Sequence, residues 1–466
     1  ISTMTPITFS IENLGTSNVL NLSSVNITGA NASEFVLSTS PSTVAALSSG
    51  NLVINFTPTS AGTKTVTVSI ANDDSDENPY IINLIGIGGS YASEPTAQAT
   101  NLVFSNIKSY RVIGNYTAAS GSPDGYIILK KEGSPITDVP VDGIAYKRGD
   151  MVGSSKVVNT GNITSFVPKN ILSNKTYYFA VYAYNGPGVY RNYLTSVAPL
   201  TGSVTSSYKT MVTPTYYNGI NYTASTFVTD LHNKINPHTA QFYSNYGPLM
   251  VASFAARDTT DDKRVVTCVY SGENKVYSDP FDWTTNNFSR EHTYCNSWMP
   301  NFPNNDPLPE YNDFHHLFPT NQNDANAIRS NYPLGEVVGT PLYTYLGCKF
   351  GYDVNGYKVF EPRDSHKGDV ARAMMYEAIC YTGVTGNLWA LPNNIKVGTT
   401  FLGYGQDQNV LKKWHYQDLP DAYEMTRNDL IDSLQQNRNP FIDSVRYACY
   451  IDFSNMTHIS APTYTT

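Results

Sequence analysis

Apolar and polar residues alternate through the first stretch of the chain: Ile7, Phe9 and Ile11 share one face of an extended segment, and Leu52, Ile54 and Phe56 another. Val66, Val68 and Ile70 repeat the pattern, as do Tyr80, Ile82 and Leu84. A period of two means a strand with one buried face and one wet face. Turn-forming clusters separate these runs, so residues 1–90 predict a β-sandwich. A linker rich in Ser, Gly, Pro and Ala, from about Gly88 to Ala99, leads into a second strand-rich stretch, 91–206. There Tyr177, Phe179, Val181 and Ala183 alternate before a turn. From about Tyr208 the spacing changes, and Phe227, Leu231 and Ile235 recur every fourth residue, as on a helix. Val370, Met374, Ala378 and Tyr381 predict a second helix, capped at Asp364 or Ser365. Tyr423, Leu430, Ile431 and Leu434 predict a third, with Pro420 in its first turn and Asn439-Pro440 as its stop. Residues 207–455 therefore predict an α+β domain, and 456–466 a tail or linker. The fold class is multidomain: two all-β immunoglobulin-like sandwiches followed by an α+β domain.

A length of 466 residues is too great for one core and fits about three domains. Tyr is abundant at 35 residues while charged residues make up only 15%, a balance that favours β-rich modules with short turns. The net charge of −8 excludes a surface that coats nucleic acid by bulk attraction, so any polyanion site must be locally positive. No apolar run reaches membrane-spanning length, and the chain opens on Ile1 without a charged-then-apolar export signal, so its beginning reads as processed or trimmed. Cys268, Cys295, Cys348, Cys380 and Cys449 are widely spaced, which argues against a zinc-thiolate site. They allow up to two disulfides in an exported protein, with buried free thiols as the alternative. The acidic turn of Asp73, Asp74, Asp76 and Glu77 lacks the alternating oxygen ligands of a calcium loop and reads as solvated.

The chemistry concentrates between Ser289 and Gly335, where Glu291 and His292 sit side by side and His315, His316, Asn326 and Arg329 come after them. A carboxylate, imidazoles, an amide oxygen and a guanidinium suit metal-assisted phosphodiester cleavage. His292 can take a proton from water, because a neutral imidazole titrates near neutrality. Glu291 and Asn326 supply hard oxygen ligands for Mg²⁺, with Ca²⁺ or Mn²⁺ able to occupy the same place. On an extended strand Glu291 and His292 point to opposite faces, so they converge only if the strand ends or twists there. The segment Leu317–Pro333 reads as a short strand, a stop at Pro319, and a helix capped by Thr320 or Asn321 running to about Arg329. Asn326 and Arg329 are then on one face, offering an amide oxygen to a metal and a guanidinium to a phosphate. Adjacent histidines on a strand face opposite ways, which makes His315 a structural, orienting residue and His316 a substrate contact at phosphate. His366, His415 and His458 read as surface or packing residues. Arg363, Lys367 and Arg372 read as solvated cations before they read as a DNA groove.

Three parts of the chain resemble known families. ITGANASEFVL and INFTPTSAGTKTVTVSIANDDSDENPYIINLIGIG resemble the choice-of-anchor-D type of immunoglobulin-like module. TYYFAVYAYNGPG resembles strand F of a fibronectin type III domain, with Tyr177 as the corner tyrosine tied to backbone near Leu172. REH, then Asp313, His315, His316, Leu317, Pro319 and Thr320, then Asn326, Arg329, Ser330, Asn331, Tyr332, Pro333, Gly335 and Glu336 resemble the endonuclease I family. Those are secreted, non-specific nucleases with a ββα-metal (His-Me) finger. The likeness continues through FEPRDSHKGDVARAMMY, KWHYQD and NRNPFID and spans nearly all of residues 208–453.

That resemblance implies His292 as general base, Glu291 and Asn326 holding one Mg²⁺, and products with 5′-phosphate and 3′-hydroxyl ends. Arg329 matches the family arginine, which implies a catalytic and substrate-binding grip on phosphate; an arginine bracing the finger through carbonyls is the alternative. Many members carry Trp-Pro after REH, whereas this chain has Thr293 to Ser297 before Trp298, so the hairpin packing behind His292 departs from the family. The expectation is a secreted endonuclease acting on DNA and on RNA through phosphate contacts, with no membrane span. Its sandwiches would serve as spacers or hold a cell-surface or matrix ligand. A surface adhesion protein carrying an inactive nuclease-like domain is the competing expectation, and an enzyme for small phosphodiesters a third.

Overall fold

Strand Thr5–Asn13 pairs antiparallel with Ser48–Phe56, which sets Ile7 opposite Ile54 and Phe9 opposite Leu52, so the two expected apolar faces meet on one side of the sheet. A computed structural model describes residues 3–207, 216–306, 308–383, 389, 391, 395–397 and 400–462. The expected start of the third segment at Tyr208 and the end of the tail, 463–466, lie outside the described residues. Two compact units emerge: 1–96 with 140–145 and 184–194, and the remainder.

In the first unit, Ser48–Phe56 is the centre of a three-stranded sheet with Thr5–Asn13 and Phe35–Thr39. A four-stranded sheet runs Thr43–Val44, Leu20–Thr28, Gly62–Asn72, Tyr80–Gly88. Phe35, Leu52, Ile54, Phe56, Val66 and Val68 fill the space between them. This is the sandwich that the period of two predicts.

The second unit holds another sandwich and the α+β part. Thr100–Ser105, Ile113–Thr117 and Ser165–Phe166 form one sheet. The other is built on Gly125–Glu132, flanked by Ser155–Gly161 and Thr176–Asn185. Tyr126, Phe166, Tyr177, Phe179 and Val181 fill the core between the sheets. The Leu172 N–H donates to the Tyr177 hydroxyl at 2.9 Å, the corner expected of that residue.

Phe227–Ile235 is a helix with Phe227, Leu231 and Ile235 inside. Lys367–Cys380 is buried along nearly its whole length and carries Tyr376 and Glu377 to the rear of the site. It starts after a 3-10 turn, Asp364–His366, and its first-turn Gly368 N–H donates to the remote Asp418 Oδ2 at 2.9 Å, so the expected cap at Asp364 or Ser365 is absent. Asp421 caps Ala422–Gln435, leaving Pro420 before the cap and not in the first turn. That helix ends on Gln436 in the left-handed region, and Asn439-Pro440 instead opens the next helix, Pro440–Asp443. The five cysteines are free thiols and four of them are buried.

Candidate active site

Phe288–His292 and Leu317–Asn321 form a two-stranded ribbon with Glu291 opposite Phe318 and His292 opposite Leu317. Pro319 does not stop its strand but lies within it opposite Arg290, and its carbonyl accepts the Val269 N–H at 3.1 Å. Proline is tolerated there because both members of a two-stranded ribbon are edges. Asn321 caps the helical segment beyond the strand, its Oδ1 accepting the N–H groups of Asn323 at 2.9 Å and Asp324 at 2.7 Å. The chain then winds through a wide π turn, Gln322–Asn326, and one α turn, Ala327–Arg329.

His292 is the last residue of its strand, so strict alternation with Glu291 ends at that point. Its Nε2 lies 2.8 Å from the Tyr311 carbonyl and must carry the proton, which leaves the lone pair on Nδ1. The ring stacks on Tyr243, with centroids 5.1 Å apart and planes 5° from parallel, and tilts against Tyr311 at 4.5 Å. Burial holds its pKa down at about 4, helped by the nearby Arg290 and opposed by the Tyr311 carbonyl. The imidazole is therefore neutral at pH 7.

Glu291 Oε1 accepts from the Tyr270 hydroxyl at 3.1 Å and from Arg329 Nη1 at 2.7 Å. Burial raises its pKa, while Arg329, Tyr270 and the Asn326 amide pull it back. Asn326 spends its amide nitrogen on Ser289 Oγ at 2.7 Å. Asn326 Oδ1 makes no hydrogen bond among the described residues, and the second Glu291 oxygen meets no donor there besides the Asn326 amide. Two adjacent hard oxygen donors with free lone pairs fit one small divalent cation. The Arg329 charge leaves such an ion under-neutralised and attractive to phosphate.

Arg329 lies on the same side of the helix as Asn326, since both reach the Glu291 carboxylate. Its guanidinium is wholly buried, and its remaining donors go to the carbonyls of Thr293 at 2.6 Å and Tyr332 at 3.4 Å. An enclosed guanidinium spent on protein acceptors does not reach a phosphate, so the catalytic and substrate-gripping expectation for Arg329 is corrected to a bracing one. His315 and His316 lie on a 3-10 turn, Phe314–His316, and not on a strand. His316 is fully buried behind the site, 5.1 Å ring to ring from His292, with Nε2 at 3.0 Å from the Glu310 carbonyl. That position keeps it from phosphate and corrects its expected contact. His315 is buried against Tyr376 at 4.4 Å, and its N–H donates to Asp313 Oδ1 at 2.8 Å.

Arg427, which the sequence did not single out, braces the turn by donating to the carbonyls of Phe314, His315 and Leu317. Tyr243, Tyr270 and Tyr311 were also missed, and their only signal was the abundance of tyrosine; Ser289 was named only as the edge of the chemical stretch. Arg372 is buried against Glu424 and Asp369, and Lys367 pairs with Glu361 and Asp364, so neither is a solvated cation or a groove residue.

A second cluster resembles a metal site: ligand atoms of His238, Asp313 and Cys380 lie within 4.8 Å of one another. Asp313 Oδ1, however, already accepts from His315 N–H at 2.8 Å and Gln435 Nε2 at 2.9 Å. Its Oδ2 accepts from the hydroxyls of Tyr376 at 2.7 Å and Tyr381 at 2.9 Å. The cluster is a hydrogen-bonded hub holding the turn to helix Lys367–Cys380.

A hairpin that feeds a helix and gathers a neutral imidazole beside free oxygen ligands is the apparatus of a phosphodiester hydrolase. The chain belongs to the Endonuclease I family, whose profile matches residues 223–446. It is 32% identical over 225 residues to an extracellular ribonuclease of Bacillus subtilis (strain 168), covering 47% of this chain and 70% of that protein. An extracellular ribonuclease of Bacillus amyloliquefaciens is 31% identical over 221 residues, with the same coverage of 47% and 70%. Among solved structures, a two fibronectin type III domain segment of chicken tenascin covers 44% of this chain and 95% of its own at 15% identity and a TM-score of 0.16. So weak an overlap adds nothing to the sandwiches described from their strands.

Proposed function

We propose that this chain is an exported, Mg²⁺-dependent endonuclease that hydrolyses DNA and RNA to 5′-phosphate and 3′-hydroxyl ends. His292 acts as general base through Nδ1. Its proton-bearing Nε2 is pinned by the Tyr311 carbonyl and its ring is clamped by Tyr243 and Tyr311, so the lone pair is aimed before substrate arrives. A phosphate seated beside it raises the depressed imidazole pKa and strengthens the base where it is needed. Glu291 Oε2 and Asn326 Oδ1 hold the ion, which when bound neutralises charge building on the leaving oxygen. Arg329 keeps Glu291 ionised and oriented, Ser289 orients Asn326, and His315 and His316 support the finger from behind.

The observation that carries this reading is what the hairpin and the turn after it leave over: Asn326 Oδ1 and His292 Nδ1 without a protein partner among the described residues, and a Glu291 oxygen not spent on Arg329 or Tyr270. The names of both relatives, extracellular ribonucleases, support RNA as a substrate beside DNA and support export. Among the described residues no helix is long and apolar enough to cross a membrane. Residues 1–90 and 91–206 are read as sandwich modules that space the enzyme from, or attach it to, a surface or matrix ligand, and 207–455 as the catalytic domain. Incubating plasmid DNA and a single-stranded RNA with the protein, with Mg²⁺ and with chelator, tests the proposal. Cleavage of either polymer that needs the cation is expected, and full cleavage in chelator contradicts it.

A further inference from the structure

Resting on the reading that nucleic acid is the substrate, we propose that a basic pocket formed by the second sandwich and strand Arg257–Thr259 binds the phosphate backbone away from the scissile bond. The pocket measures about 450 Å³ and is lined by Lys130, Lys131, Lys156, Lys169 and Arg257. In a chain of net charge −8 this is the locally positive surface that a polyanion requires. Two carboxylates also line it, but Glu132 pairs with Lys175 at 3.6 Å, and Asp258 with Arg148 at 3.5 Å and with Arg264. Among the described residues none of the five lining cations makes an ion pair.

These cations are built into the fold. Lys130 and Lys156 stand directly opposite one another across adjacent strands, a like-charge pairing that costs stability. Lys130 Nζ donates to the Lys169 carbonyl at 2.6 Å, Lys169 Nζ to that of Ala252 at 2.6 Å, and Lys156 Nζ to that of Asp258 at 3.0 Å. Carbonyls fix the ammonium groups without neutralising them. Burial, with Lys156 as the next cause and Glu132 opposing, lowers the Lys130 pKa to about 8.

The walls are clamped together. Lys147 meets Asp261 at 2.5 Å, Arg148 meets Asp262 at 3.2 Å, and the Asp261 N–H donates to Asp150 Oδ1 at 3.0 Å. Gly149, at φ +87°, permits the approach, since a Cβ there would fall 1.9 Å from the Thr259 carbonyl oxygen. Val265 of the neighbouring strand Lys263–Thr267 also lines the pocket. Just past that strand, the Cys268 thiol and the Val269 N–H bond to Asn321 and Pro319 of the finger. The pocket and the catalytic hairpin are thus coupled through one short sheet. Lysine, a point charge without planar recognition, suits phosphates of any sequence.

The test measures binding of labelled single-stranded DNA and RNA 16-mers to the full chain in chelator, across a salt series. A triple variant, Lys131→Gln with Lys156→Gln and Lys169→Gln, should bind about tenfold or more weakly and lose about two from the slope of log affinity against log salt. Its thermal midpoint should not fall, because like charges have been removed, and its turnover of bis(p-nitrophenyl) phosphate with Mg²⁺ should equal that of the wild type. Photo-crosslinking of the oligomers to the wild-type chain provides a second measurement and should label residues 130–169. Unchanged affinity and slope in the triple variant, crosslinks confined to 270–462, or pocket-dependent binding of a sulfated glycan without binding of the oligomers would each overturn the proposal. Absence of any nucleic-acid cleavage by the wild type would instead overturn the reading on which it rests.

Discussion

The finger face and the Asp313 hub contain the same side-chain types, a carboxylate, imidazoles and tyrosine hydroxyls, yet they differ in what is left over. At the hub both Asp313 oxygens are saturated by protein donors. At the finger an amide oxygen and an imidazole nitrogen stay unspent among the described residues, and the Glu291 carboxylate keeps one oxygen clear of Arg329 and Tyr270. Saturated polar groups make a fold specific, while unspent ones, held by partners on their other atoms, make it reactive. Residue type alone does not separate the two.

The sharpest way to break this contrast is to cut one group on each side. His292→Ala should lower cleavage by about 10²–10⁴-fold with the thermal midpoint held, whereas Asp313→Ala should destabilise the fold by at least about 3 kcal/mol because it strands several buried donors. Rates per folded molecule and urea unfolding read the two effects, and an active His292→Ala would erase the distinction. Arg329→Ala tests the boundary between them. It removes the buried partner of Glu291 and should cost about 3–5 kcal/mol along with activity; an inactive variant of unchanged stability would return Arg329 to the substrate.

Acid acts on both regions at once. Burial holds His292 and His315 at about 4 and His415 at about 3, so the unfolded chain takes up their protons first, near 6.5. Their contribution is complete above about 6.5 and is lost as pH falls toward 4. Asp313 is shifted down and so holds its contribution into stronger acid. The imidazole contribution to the thermal midpoint should be level above pH 6.5 and fall between pH 6.5 and 4, and a midpoint unchanged over that window would contradict the buried neutral imidazoles. The smallest effect is expected from Ser289→Ala, which frees the Asn326 amide. Mg²⁺ affinity measured by calorimetry should drop by roughly 10-fold with little change in stability, and an unchanged affinity would remove Ser289 from the site.

Much of this was legible along the chain. Alternation put Ile7, Phe9 and Ile11 on one strand face, the tyrosine corner came from one strand pattern, and Glu291, His292 and Asn326 stood out as the candidate site. Direction was not legible. A spacing of three put Asn326 and Arg329 on one face, but only packing decides that the guanidinium ends on Glu291 and the Thr293 carbonyl and not in solvent. The clamp of Tyr243 and Tyr311 on His292 is a contact between remote segments, and among 35 tyrosines no local pattern marks those two. His316 misled because a 3-10 turn, not a strand, sets its direction. Pro420 and Asn439 were misplaced because proline and asparagine open helices as readily as they bound them.

Diffraction from crystals soaked in Mn²⁺, with its anomalous signal, addresses the central claim most directly. The expected result is one peak within coordinating distance of both Glu291 Oε2 and Asn326 Oδ1, with a water between the ion and His292 Nδ1. An ion bound instead among His238, Asp313 and Cys380, or none beside Glu291, would contradict it.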